Sequence, residues 1–141
     1  MTGLFSKIFG GKPPKGETPI RENIPDADGD TLPDERPWTG VDLDGTLAEW
    51  GMHSTLDKIG PPVPVMLEYV QQLVADGQRV KIFTARAGDP EQIPRIQKWL
   101  AKHGLDGLEI TNVKDYHMVR LFDDRCIQVE PNTGKVLSKL I

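Results

Sequence analysis

Apolar residues from position 38 onward fall alternately into short runs and longer stripes. The stretch at 38–41 is short and mostly apolar and predicts a strand. After a loop at 47–62, Val65, Met66, Leu67, Val70, Leu73 and Val74 recur at helical spacing and stop before Gly77, which predicts a helix with one buried face. RVKIFT at 79–84 reads as a buried strand. Asp89-Pro90 opens a second helix, with Ile93, Ile96 and Leu100 on one face and Gly104 as its stop. LEITNV from Leu108, VRLF from Val119 and CIQV from Cys126 predict further strands, and PNTG from Pro131 is a turn suited to pairing the last two as a hairpin. This alternation implies an α/β fold: a mostly parallel sheet in a three-layer, Rossmann-like arrangement, with helices on both faces. Ligands of such sheets bind at the carboxyl ends of the strands.

The pattern breaks down before Pro37. Residues 1–36 are rich in Gly, Pro and charge, with too few apolar groups to offset the entropy of ordering, and are expected to form a flexible tail ahead of a single domain at 37–141. Within it, LFSKIF sets Leu4, Phe5, Ile8 and Phe9 at helical spacing, either as a frayed terminus or as a stripe that covers an apolar patch on the domain, on a second copy or on a partner.

Composition narrows the class. The 141 residues suit one domain, and no apolar run is long enough to span a bilayer. The tail holds five basic and seven acidic residues, leaving 12 and 14 of the chain's 17 and 21 for the body. A net charge of -4 argues against broad attraction to nucleic acid, although a local basic groove stays open. The lone Cys126 has no internal disulfide partner and the N-terminus lacks a secretory apolar core, so a reducing cytoplasm is expected.

Chemistry gathers where the predicted strands end. Asp42 and Asp44 follow Val41, and residues two apart on an extended chain point the same way, so both carboxylates can serve one bound group. Thr84 ends the second strand, Lys114 follows the third, and Asp123-Asp124 ends the fourth. A hard divalent cation such as Mg2+ takes oxygen ligands of this kind, while the Thr84 hydroxyl and the Lys114 ammonium suit phosphate oxygens.

These residues resemble the haloacid dehalogenase-like phosphohydrolases. Their DxDGT motif is matched by Asp42, Leu43, Asp44, Gly45 and Thr46, the strand ending in Thr by Thr84 in KIFTAR, the Lys by Lys114 in TNVKD, and the paired acids by Asp123 and Asp124 in RLFDDR. The resemblance covers 38–129 and implies a Mg2+-dependent phosphomonoester hydrolase. Asp42 would be the nucleophile, forming an aspartyl-phosphate, and Asp44 the general acid and base. Mg2+ would be held by the Asp42 carboxylate, the Asp44 main-chain carbonyl and Asp123, with Asp124 directly or through water. Thr46 and Arg86 would meet the substrate. No insertion is large enough for the family's cap domain, so a nucleotide, a nucleic-acid end or another macromolecular phosphate is a fitting substrate, and a neighbouring subunit is a possible lid. Lys114 precedes Asp123 by only nine positions, which leaves little room for the helix that usually separates those family strands.

Plainer readings stand beside these. Asp44-Gly45 alone would be a turn, Thr84 a β-branched strand residue, Lys114 a surface lysine and Arg86 a helix-start arginine. Arg125 could pair with an acid, and His53 is expected to face solvent. Trp50 either stacks on a base or packs on the core. The tail segment DADGDTLPDE resembles aspartate-rich calcium repeats, with Asp26, Asp28, Asp30 and Asp34 as oxygen ligands, yet Thr31 stands where such repeats favour Gly and an acidic linker is the simpler account. The alternative to an enzyme is a non-catalytic phosphate- or metal-binding or scaffolding protein recruited through its tail.

Overall fold

The computed structural model describes residues 34–138. The stripe at 4–9, most of the tail and the candidate calcium ligands Asp26, Asp28 and Asp30 lie outside the described residues. Of that acidic group only Asp34 is described, and it pairs with Arg36 at 2.7 Å and with Arg79 at 3.3 Å. The hydrogen bond from Arg36 holds its carboxyl well below the usual carboxylate range.

The elements run in the order β1 (Trp38–Val41), α1 (Pro64–Ala75), β2 (Val80–Phe83), a 3₁₀ turn (Ala85–Gly88), α2 (Gln92–Lys102), β3 (Glu109–Thr111) and β4 (Met118–Phe122). The four strands make one sheet in the order β3-β2-β1-β4, and every pairing is parallel. The strand-helix alternation of the sequence is thus an α/β fold with a small parallel sheet. Pro64 sits in the first turn of α1, where its fixed φ suits the helix and its missing N–H costs nothing. The second helix starts at Gln92, a little after Asp89-Pro90. The Asp89 side chain turns back to accept a 2.9 Å bond from the Glu91 amide, and the 3₁₀ turn takes up the chain between Thr84 and Asp89.

Register decides which residues meet the helices. Thr39 pairs with Val80 and Val41 with Ile82, while Ile82 pairs with Ile110, so Val41, Val80, Ile82 and Ile110 share one face. They form a single cluster with Val70 and Leu73 of α1 and with Ile96, Trp99 and Leu100 of α2. Both helices therefore cover the same face, as right-handed crossovers stepping in one direction across a sheet require. Helices on both faces were expected from the sequence; among the described residues no helix lies on the other side, because only six residues join β3 to β4. That side is closed by amphipathic side chains. The Lys81 ammonium lies 4.6 Å from the centre of the Trp38 ring and pairs with Glu109 at 3.4 Å, and Trp38 donates to Asp115 at 2.8 Å.

Two further expectations change. Val65 and Val74 belong to the predicted apolar stripe of α1 but are exposed, and Val70 and Leu73 carry the burial instead. Residues 126–129 form no strand of the sheet. Around the turn at 131–133 only a short antiparallel pairing survives, with Leu137 donating to Gln128 and Glu130 to Lys135, each at 2.8 Å. Ile127 and Val129 are exposed, so no burial pulls this segment onto the sheet. Among the described residues no helix is long and apolar enough to cross a membrane.

Ile82 is fully buried at the centre of the cluster. Ile82→Ala is expected to cost about 2 to 5 kcal/mol, read as a lower midpoint in urea denaturation; a midpoint within error of wild type would show that the core does not rest on this strand.

Candidate functional site

The polar residues singled out in the sequence meet because of how the first strand ends. The Asp42 amide donates to Phe122 at 2.8 Å, extending the β1–β4 ladder by one bond. The chain then folds into a tight turn in which the Leu43 carbonyl accepts from the amides of Thr46, Leu47 and Ala48. Leu43, Leu47 and Ala48 are fully buried, and their burial turns Asp42 and Asp44, on the alternate positions, toward the open end of the sheet.

A cavity of about 800 Å³ opens there, lined at the carboxyl ends of the strands by Asp42 and Asp44 after β1, Thr84 after β2, Asn112 after β3 and Asp123 after β4. Its outer part is framed by Trp50 and Leu56 of the 47–62 loop and by Arg125. The loop is a flap with a closed stem. Glu49 donates to the Pro61 carbonyl and Val63 to Leu47, each at 2.8 Å, and at the tip Thr55 donates to Lys58 at 2.9 Å. His53 is exposed, as expected, and Trp50 is half-exposed in the cavity wall, away from the core.

Asp42, Asp123 and Asp124 bring one carboxylate oxygen each within 4.8 Å of one another, a group able to hold a metal ion. Thr46 braces it. Its hydroxyl lies 3.3 Å from Asp42 Oδ2 and 3.1 Å from Asp124 Oδ1, and it accepts the Asp124 amide at 3.0 Å. Gly45, at φ 90°, leaves room for this approach, since a Cβ there would sit 2.6 Å from Asp124 Oδ2. Burial, the charge of Asp123 and the hydrogen bond that a protonated Asp42 gives to Asp124 together push the Asp42 carboxyl up to about 7. None of the three acids has an ion-pair partner among the described residues. Three hard oxygen donors converging from separate acids fit a hard divalent cation.

Asp44 is held elsewhere. Arg86 grips it with a fork, Nε to Oδ2 at 2.6 Å and Nη2 to Oδ1 at 2.9 Å. Arg86 is only 6% exposed, and its remaining donors go to the Thr55 and Leu56 carbonyls, each at 2.8 Å, and to Gln92 Oε1 at 3.1 Å. Its expected contact with substrate is therefore not what this geometry brings together. Thr84 is buried in the cavity wall, and its hydroxyl accepts the Arg86 amide at 3.2 Å, which leaves the hydroxyl proton for another acceptor. Lys114 is exposed and does not line the cavity, although its charge is felt at Cys126 together with those of Asp42, Asp123 and Asp124, which places it at the same end of the sheet. Gln92 and Asn112 escaped the sequence reading, because neither residue type carries a motif and only the strand order brings them to the cavity.

The chain has no match among protein-family models, curated proteins or solved structures.

Two outcomes are expected of the acidic group. Because the folded-state value of Asp42 is raised, its stabilising effect is complete below about 4 and lost as pH rises through about 7. Metal-free protein should therefore melt at a higher temperature at pH 5.5 than at pH 8, and Asp42→Asn should flatten that difference; an unchanged difference in the variant would assign it to other groups. Gly45→Ala should displace Asp124 and weaken divalent-cation binding by at least about tenfold in calorimetric titration, and unaltered affinity would detach Gly45 from the cation group.

Proposed function

We propose that the chain is a small, capless phosphomonoester hydrolase of the haloacid dehalogenase-like kind. One observation carries this reading: the four strand ends that resemble the family's motifs open at one end of one parallel sheet, with Asp42, Asp44, Thr84 and Asp123 in the wall of a single cavity. The order β3-β2-β1-β4 also supports the Rossmann-like assignment, with the site between β1 and β4, where the order reverses: β1 leads on to β2 and β3 at one edge, and the chain then returns to place β4 at the other.

In this mechanism an Asp42 oxygen attacks phosphorus, the bond from phosphorus to the leaving oxygen breaks, and Asp44 gives that oxygen its proton. Asp44 then takes a proton from water, which attacks the phosphorus of the aspartyl-phosphate, releases inorganic phosphate and restores Asp42. The Thr84 hydroxyl holds a phosphate oxygen and Thr46 keeps Asp42 and Asp124 aligned, while Lys114, exposed and outside the cavity wall, would have to swing inward to add its ammonium. Mg2+, held by Asp42, Asp123 and Asp124 with the Asp44 main-chain carbonyl, would neutralise the repulsion between a carboxylate nucleophile and an anionic substrate. A cavity of about 800 Å³ suits the leaving group of a small phosphate ester, and half-exposed Trp50 offers a flat surface to a planar one such as a nucleobase.

The second reading, a non-catalytic phosphate- or metal-binding protein recruited through its tail, draws on Arg86 engaging both oxygens of Asp44.

Phosphate release from aryl phosphates, nucleotides, sugar phosphates, phosphorylated oligonucleotides and phosphopeptides, with Mg2+ and with chelator, separates the two. Chelator-sensitive turnover is expected, strongest for small esters, and folded Asp42→Asn should lose on the order of a thousandfold or more in kcat. Turnover in that variant equal to wild type would remove the nucleophile; no turnover on any substrate, with Mg2+ still bound, would favour the binding protein.

A further inference from the structure

Arg86 has five N–H donors, and each has an acceptor: the two Asp44 oxygens, the Thr55 and Leu56 carbonyls and Gln92 Oε1. A guanidinium this deeply buried has to be fully bonded, since an unsatisfied donor or an unpaired charge in such a place is costly. Its acceptors come from three places in the chain that share no other element: the turn after β1, the tip of the flap and the start of α2. Its Cζ also lies over the Trp50 ring of the flap, 5.7 Å from the ring centre. The flap tip is gripped from α2 as well. Gln92 Nε2 donates to the Leu56 carbonyl at 2.7 Å, Arg95 pairs with Asp57 at 2.8 Å, and Trp99 donates to the Gly60 carbonyl at 2.9 Å. Of these ties, the one through Arg86 also reaches Asp44.

We propose that Arg86 is a positioning residue that makes the entrance flap and the Asp44 carboxylate one mechanical unit. The wall that receives the leaving group and the group that exchanges protons with it are then set by a single guanidinium. Substrate phosphate does not take Arg86's donors, because binding it would require giving up an acceptor already in place. Lysine cannot substitute, since three donors on one nitrogen do not reproduce a planar fork that spans a carboxylate and two carbonyls. The kinetic part of this inference rests on the phosphatase reading; the mechanical part does not.

Amide hydrogen exchange tests the mechanical part in the full chain. Asp44→Asn removes one of the two acceptors facing Arg86 and should speed exchange at Thr55 and Lys58, at the flap tip, by about tenfold or more while the amides of β1 and β2 stay protected. Arg86→Lys should do the same despite keeping the charge. Unchanged flap exchange in Asp44→Asn would overturn the coupling whatever the enzyme does, and it needs no activity to be read. For the kinetic part, Arg86→Lys is expected to lower kcat by about a hundredfold with Mg2+ affinity and KM within a few-fold of wild type. Wild-type kcat in a variant whose flap exchange has risen would overturn the positioning role. A wild-type protein without phosphatase activity would instead sink the phosphatase reading and leave the exchange result to decide the coupling.

Discussion

The parallel register between β1 and β4 sets Val41 opposite Phe122, and the residues that follow, Asp42 and Asp123, leave the two strands side by side. Most of the site follows from this adjacency. Two carboxylates are brought together with a third, Asp124, and the raised Asp42 value expresses first its burial and then the repulsion from Asp123. Among the described residues no lysine or arginine forms an ion pair with these acids. The chain braces the acids with the Thr46 hydroxyl and clears space with Gly45, so local geometry is spent on keeping the acids close. A countercharge from outside the chain is the simplest way to reconcile that geometry with the electrostatics, and it is why a divalent cation belongs to the functional reading.

Helix α2 serves the same end of the molecule from the other direction. Ile96 and Leu100 face the sheet and bury in the cluster, whereas Gln92, Arg95 and Trp99, spaced three and four apart along an adjacent stripe, reach carbonyls and a carboxylate of the flap. A loop without strands or helices of its own gains a defined position because a helix anchored in the core holds it by side-chain bonds. Gly60 shows how close that packing is, as a Cβ there would run into the Glu49 carbonyl across the flap stem.

The strands, the two helices and the carboxylates were legible in the sequence because each rests on a local signal: apolar period, Pro and Gly punctuation, and acids at the end of an apolar run. The single helical face was not, since which side a helix covers depends on the strand order, and only that order shows α1 and α2 stepping the same way. The failure at 126–129 has a similar root. CIQV has the composition of a strand, but nothing among the described residues buries Ile127 or Val129, and strand propensity without a surface to pack on makes only the short pairing around 131–133. Arg86 was legible as a residue near the site but not in its role. An arginine two positions past a strand-end Thr reads the same whether it faces a ligand or a carboxylate 42 positions earlier in the chain.

The electrostatics of the cavity bear on what enters it. Arg86 is spent on Asp44 and Arg95 on Asp57, which leaves Arg125 as the one cation of the cavity wall without an ion-pair partner among the described residues, against Asp89 and Glu91 on the outer rim. A long polyanion such as a nucleic-acid strand would have to lay phosphates along that acidic rim, and the cost of doing so grows with each added charge. On the proposed reading, a monoester would bring its negative charge only to a cation held by Asp42, Asp123 and Asp124 and present its remaining bulk to Trp50, Leu56 and Phe83. Such a wall would sort ligands by where their charge sits as much as by size, and a flap fixed through Arg86 would keep the apolar side of that wall at a constant distance from the acids.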